Sequence, residues 1–139
     1  FSLDMNIRWT MEEHELDYAR AKIATASRAA RLESPLDTVF IHLGVLEGLR
    51  SSSERARNFG FQGKLCIHPE QIEPVNQVFS PSSEEIEQAQ KYVDAFKAAE
   101  ASGSASIQVE GYFIDYPIVE KAQRTLDVAK AIEQSRRRV

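Results

Sequence analysis

Four side chains in this 139-residue sequence combine reactive chemistry with a suggestive setting: Asp115, His42, His68 and Cys66. Asp115 stands between Ile114 and Tyr116 and just before Pro117. That setting suits a helix N-cap, and proton transfer is the alternative. His42 lies inside the apolar run 36–43 (LDTVFIHL), near its C-terminal end. An imidazole there is either a core residue with its hydrogen bonds satisfied or a functional group at the C-terminal end of a strand. His68 follows the run 64–67 (KLCI) and precedes Pro69, so a turn role and a substrate contact both stand. Cys66 lies inside that run and reads as a small core residue rather than a nucleophile. His14 falls on the polar face of a helix. No two of the three histidines have metal-ligand spacing, and there is no phosphate loop, dinucleotide fingerprint, zinc pattern or serine elbow.

The elements that must position these groups follow from periodicity. Thr10 and Glu13 have capping-box spacing, and Leu16, Ala19, Ile23, Ala26 and Ala30 recur three and four apart. This predicts a first helix of about five turns with those residues on one face. The continuous apolar character of 36–43 predicts a parallel strand covered on both faces. A second helix over 47–58 is closed at Gly60, where a left-handed C-cap residue is wanted, and Gly63 and Lys64 read as the turn into the short strand 64–67. Helix alternating with strand indicates an α/β architecture with crossover helices.

A short helix is predicted near 71–78. Ser82 and Glu85 form a capping box for a longer one whose face is Ile86, Ala89, Val93, Phe96 and Ala99. Residues 107–110 and 112–115 alternate about Gly111 as a β-hairpin does, and Pro117 opens a last helix with Val119, Ala122, Leu126 and Ala129 inward. An appendage this apolar needs a surface to bury against, and another subunit supplies one.

Composition bounds the function classes. With 42% hydrophobic and 27% charged residues the chain reads as globular, and its net charge of -4 gives no footprint for nucleic acid. One cysteine permits no internal disulfide, which fits a reducing compartment. No segment has a signal-peptide pattern or the length to span a membrane. These features predict a cytoplasmic protein without nucleic-acid or membrane partners. Phe1 in place of an initiator methionine suggests that the natural N-terminus lies further upstream.

Several runs in order resemble one family: 17–20 (DYAR), 36–39 (LDTV), 47–49 (EGL), 60–69 (GFQGKLCIHP), 71–72 (QI), 75–76 (VN), 79–81 (FSP), 85–86 (EI) and 111–117 (GYFIDYP). The family is that of the citrate lyase beta subunit, with malyl-CoA and citramalyl-CoA lyases as relatives in the HpcH/HpaI aldolase superfamily. The resemblance implies an α/β fold, the C-terminal portion of a TIM barrel over 1–80, followed by a helix, hairpin and helix extension for oligomerisation over 81–139. It implies a carbon–carbon lyase that cleaves a 3-hydroxyacyl-CoA into an acyl-CoA and a 2-oxo acid with Mg2+, whose acidic ligands would lie upstream of Phe1. No metal ligand is expected within the chain, which alone would be inactive.

The resemblance also implies a homotrimer in which Asp115 is the catalytic proton-transfer group in a neighbouring subunit's site. Ile67, His68 and Pro69 would be substrate-binding, beside the CoA thioester. His42 and Val45 stand where the family commonly has aspartates. The alternatives are a non-catalytic family copy or fragment with a structural, oligomerising role, and an aldolase acting on free 2-oxo acids.

Overall fold

Asp37 and Lys64 face each other across a parallel strand pair, β1 (Leu36–Asp37) and β2 (Gly63–Lys64), with Leu36 opposite Gly63. The computed structural model describes residues 1–137 and divides the chain into two units, Phe1–Phe79 and Ser80–Val139.

In the first unit a 3-10 turn (His14–Leu16) leads into α1 (Asp17–Ala29), then β1, α2 (Leu46–Asn58), β2, a second 3-10 turn (Pro69–Gln71) and α3 (Ile72–Phe79). The helix α2 ends as its sequence predicts. Gly60 takes the left-handed conformation at φ 91°, its N–H bonds the carbonyl of Arg57 at 3.0 Å, and the N–H of Phe61 reaches the carbonyl of Ala56 at 3.1 Å. These two bonds make a Schellman motif. Phe40, Leu49 and Val75 form the apolar core, with Cys66 and Phe79 packed against it. The approach of α2 to that core depends on Gly48, because a Cβ there would lie 2.8 Å from the ring of Phe40.

Two expectations are corrected. The predicted strands 36–43 and 64–67 shorten to two residues each, with Leu36, Ile41, Leu43, Leu65 and Ile67 exposed. A ladder extends only where both chains find partners, and among the described residues β1 and β2 have only each other. The first helix begins at Asp17 rather than Thr10, because Glu13 adopts a left-handed φ of 54° and turns its carboxylate inward. The Oγ of Thr10 does accept the N–H of Glu13 at 3.2 Å, but the reciprocal carboxylate, 2.6 Å from the Thr10 N–H, is that of Glu15. The inward residue of α1 is Arg20, while Ile23 stays 51% exposed.

The second unit follows its sequence pattern closely. Ser82 and Glu85 exchange side-chain and backbone hydrogen bonds at 2.8 and 3.1 Å, opening α4 (Ser83–Ala101) with a complete capping box. β3 (Ile107–Val109) pairs antiparallel with β4 (Tyr112–Ile114) across a two-residue turn. Both turn residues, Glu110 (φ 51°) and Gly111 (φ 86°), have the positive φ that such a tight hairpin requires. α5 (Tyr116–Arg136) packs on α4 through Ala89, Val93 and Ala122, with Tyr92, Val119 and Leu126 at the margin. The Phe96 and Tyr116 rings meet edge-on at 5.0 Å. No helix among the described residues is long and apolar enough to cross a membrane.

Candidate functional site

Ile67, His68 and Pro69 lie beyond β2, after Leu65 and Cys66, and are exposed. Pro69 opens the 3-10 turn, and the Nδ1 of His68 caps it by accepting the Glu70 N–H at 3.3 Å. The turn brings Gln71 back beneath the loop, so that the Ile67 N–H donates to its Oε1 at 2.9 Å. The Nε2 of Gln71 in turn donates to the carbonyl of Phe40 at 2.9 Å, and the Oε1 of Glu70 accepts the Gly44 N–H at 3.1 Å. The loop after β2 is thereby joined to the segment after β1.

His42 lies on that segment. Its ring meets Phe40 edge-on at 5.3 Å, and its Nε2 is buried without a hydrogen-bond partner. The residue is therefore half-buried against Phe40 with one nitrogen left unsatisfied. Cys66 is partly buried against the core, and burial pushes its thiol up, so it is a poor nucleophile.

Between the helices and strands lies a charge network that sequence reasoning missed. Arg20 donates to both carboxylate oxygens of Asp37, at 3.0 and 2.9 Å, and to Glu13 at 2.5 Å. Ser52 donates to Glu13 at 2.6 Å, and Lys64 donates to Asp37 at 2.7 Å. All five side chains are buried. Two acids and two bases balance, as burial of charge requires. Burial alone would raise the Asp37 carboxyl, but the hydrogen bonds from Arg20 and Lys64 outweigh it and hold the group below the usual carboxylate range. Arg20 is likewise opposed by burial and held protonated by Asp37 and Glu13. Lys64 is thus an ion-pair residue and not merely the entry to a strand. The only signal in the sequence was that Arg20, Asp37 and Lys64 each sit in a family-like run, since nothing local joins residues so far apart.

The family model for HpcH/HpaI aldolase/citrate lyase matches residues 1–69. Citrate lyase subunit beta of Leuconostoc mesenteroides subsp. cremoris is 38% identical over 94% of this chain and 43% of its own length. The chain belongs to the HpcH/HpaI aldolase/citrate lyase family. A second member, the mitochondrial citramalyl-CoA lyase of Homo sapiens, is 36% identical over 90% of the chain and 37% of its own length. The family also contains the protein CitE from Mycobacterium tuberculosis, whose crystal structure is a complex with magnesium, acetoacetate and coenzyme A. It superposes with a TM-score of 0.70 and 29% identity, over 81% of this chain and 40% of that one. The chain therefore spans less than half the length of these relatives, and its fold is the family's mixed α/β kind.

The magnesium that the family resemblance implies finds no holder here. No group of three or more His, Cys, Asp or Glu among the described residues could bind a metal, and the buried carboxylates of Glu13 and Asp37 are already engaged by Arg20, Ser52 and Lys64. The residues present do not fit that ion.

Asp115 belongs to the second unit. It is the N-cap of α5, where its Oδ1 accepts the Ile118 N–H at 3.4 Å, and it is half-buried among the exposed aromatics Tyr112, Phe113 and Tyr116. The capping role read from the sequence is realised. The cap bond engages Oδ1, one of the two carboxylate oxygens.

Proposed function

We propose that this chain is the C-terminal portion of a carbon–carbon lyase that cleaves a 3-hydroxyacyl-CoA into an acyl-CoA and a 2-oxo acid. The similarity over 90% of the chain to a citramalyl-CoA lyase carries this reading. The β1–α2–β2 unit is then the closing part of a TIM barrel whose other strands lie outside the chain, and magnesium is held by acids there. The protein is a cytoplasmic homotrimer.

In the reaction the substrate hydroxyl loses its proton and the bond between the hydroxyl-bearing carbon and the carbon next to the thioester breaks. The electron pair passes into the thioester as an enolate, and a proton delivered to that carbon completes the acyl-CoA while the 2-oxo acid leaves. Asp115 is the residue for that proton transfer, acting in the site of a neighbouring subunit, with Ile67, His68 and Pro69 beside the CoA thioester. Its place on an exposed aromatic hairpin supports this role, because such a patch is built for contact with another surface.

The test is cleavage of citryl-, malyl- and citramalyl-CoA by the full-length protein, with and without magnesium. Asp115→Asn keeps an N-cap acceptor, so fold and oligomer size should survive while turnover falls at least about a hundredfold. Undiminished turnover in that variant removes Asp115 from the mechanism. A second reading, a non-catalytic copy with an oligomerising role, is favoured by His42 and Val45, where acids are usual in the family. Absence of any cleavage by the wild type would support it.

A further inference from the structure

The backbone ladder between β1 and β2 stops where the proposed substrate loop begins. Its last bond runs from the Leu65 N–H to the carbonyl of Asp37 at 3.0 Å. Three residues past Asp37 and two past Leu65, at Phe40 and Ile67, the link is a side chain. The Gln71 amide accepts the Ile67 N–H with one end and donates to the Phe40 carbonyl with the other, both at 2.9 Å. Gln71 is 2% exposed and its bond to Phe40 is buried, so water competes little for that bond, while the bond from Ile67 is part-buried. The arrangement has one chemical sense, because an N–H needs the amide oxygen and a carbonyl needs the amide nitrogen.

The primary amide of Gln71 therefore occupies the place of a peptide group between two strand ends that have no direct ladder bond at this level. The side-chain bridge ties the two segments together where the ladder has ended. Glu70 adds a parallel tie to Gly44 at 3.1 Å. The Glu70 bond is exposed and the Gln71 bond to Phe40 is buried, so the buried amide is the stronger constraint.

We propose that Gln71 is the positioning residue of the CoA-thioester loop: its amide holds Ile67, His68 and Pro69 at the separation from the 40–44 segment that thioester binding requires. This rests on the lyase reading above. Gln71 touches no reacting atom in this role and acts through the backbone of Ile67 and Phe40.

The experiment uses the full-length protein with Gln71→Met, which keeps length and loses both bonds, and Gln71→Glu, which keeps the acceptor for Ile67 and loses the donor to Phe40. Kinetics are measured with whichever of citryl-, malyl- and citramalyl-CoA the wild type cleaves. KM should rise at least about tenfold in both variants with kcat within about threefold of wild type, the pattern of a binding loop displaced before chemistry. The exchange of the Ile67 amide should speed by about tenfold in Gln71→Met and much less in Gln71→Glu, with α2 amides unchanged.

A merely structural role would lower the active fraction, so that kcat falls at constant KM, and that outcome overturns the inference. Unaltered KM in both variants with an active wild type also overturns it, while leaving the lyase reading intact. If Gln71→Met does not fold, the KM of Gln71→Glu decides alone. No cleavage of any of the three thioesters by the wild type sinks the lyase reading and this role with it.

Discussion

The deeply buried side chains of the Phe1–Phe79 unit include Glu13, Arg20, Asp37, Ser52 and Lys64, whereas those of the Ser80–Val139 unit are Ala89, Val93, Phe96, Ile114 and Ala122. The first unit adds ion pairs to its Phe40, Leu49 and Val75 core and leaves an open apolar cavity of about 590 Å³ beside them, lined in part by Trp9, Leu16, Ile23, Leu36 and Leu65. The second closes its apolar faces on each other and exposes aromatics only at the hairpin and the start of α5. Apolar contact is tolerant of small shifts, while a bidentate guanidinium–carboxylate pair is not. The first unit is thus specified in register by its charges, and the second packs its helix faces on each other while leaving the hairpin aromatics exposed.

The comparison can be broken most sharply at Asp37. Asp37→Asn removes the negative charge shared by Arg20 and Lys64 and leaves these two buried cations with Glu13 as the one remaining anion of the network, with an expected loss of about 3–5 kcal/mol in chemical denaturation of the full-length protein. A loss near zero would show that the network adds nothing to specificity or stability.

Acid tests the same contrast without mutation. The Asp37 carboxyl is held below its usual range, so its contribution is complete above the unfolded-state value near ~3.9 and is lost as pH falls through the lower folded value. Amide exchange between about pH 5 and pH 2 should show protection in α1 and β1 failing before that in α4, whose buried face is apolar. Simultaneous loss, or loss in α4 first, would remove the distinction.

The smallest effect concerns helix ends. Ser82 caps α4 by a full capping box, yet Val45 precedes α2 and offers no side-chain acceptor. Val45→Asp should stabilise by about 1 kcal/mol, read as a shift in denaturant midpoint. No gain would mean that the α2 N–H groups are already satisfied by solvent.

What could be read in the sequence was local. The Ser82 and Glu85 box, the glycine closure of α2, the hairpin about Gly111 and the inward faces of α4 and α5 all depend on residues within a few positions of each other, where dihedral preferences and side-chain reach decide the outcome. The N-cap role of Asp115 and the position of His68 in a turn were legible for the same reason, and the ordered family-like runs identified the family. Only the tertiary structure decided the rest. It turned Arg20 rather than Ile23 inward, joined Lys64 to Asp37, buried Gln71 as a bridge between strand ends, and cut the strands to two residues. The first three of those outcomes are set by a partner between 17 and 31 positions away, and the last by the lack of further strand partners among the described residues. A sequence pattern records which residues prefer burial; it does not record which distant charge or backbone group will meet them there.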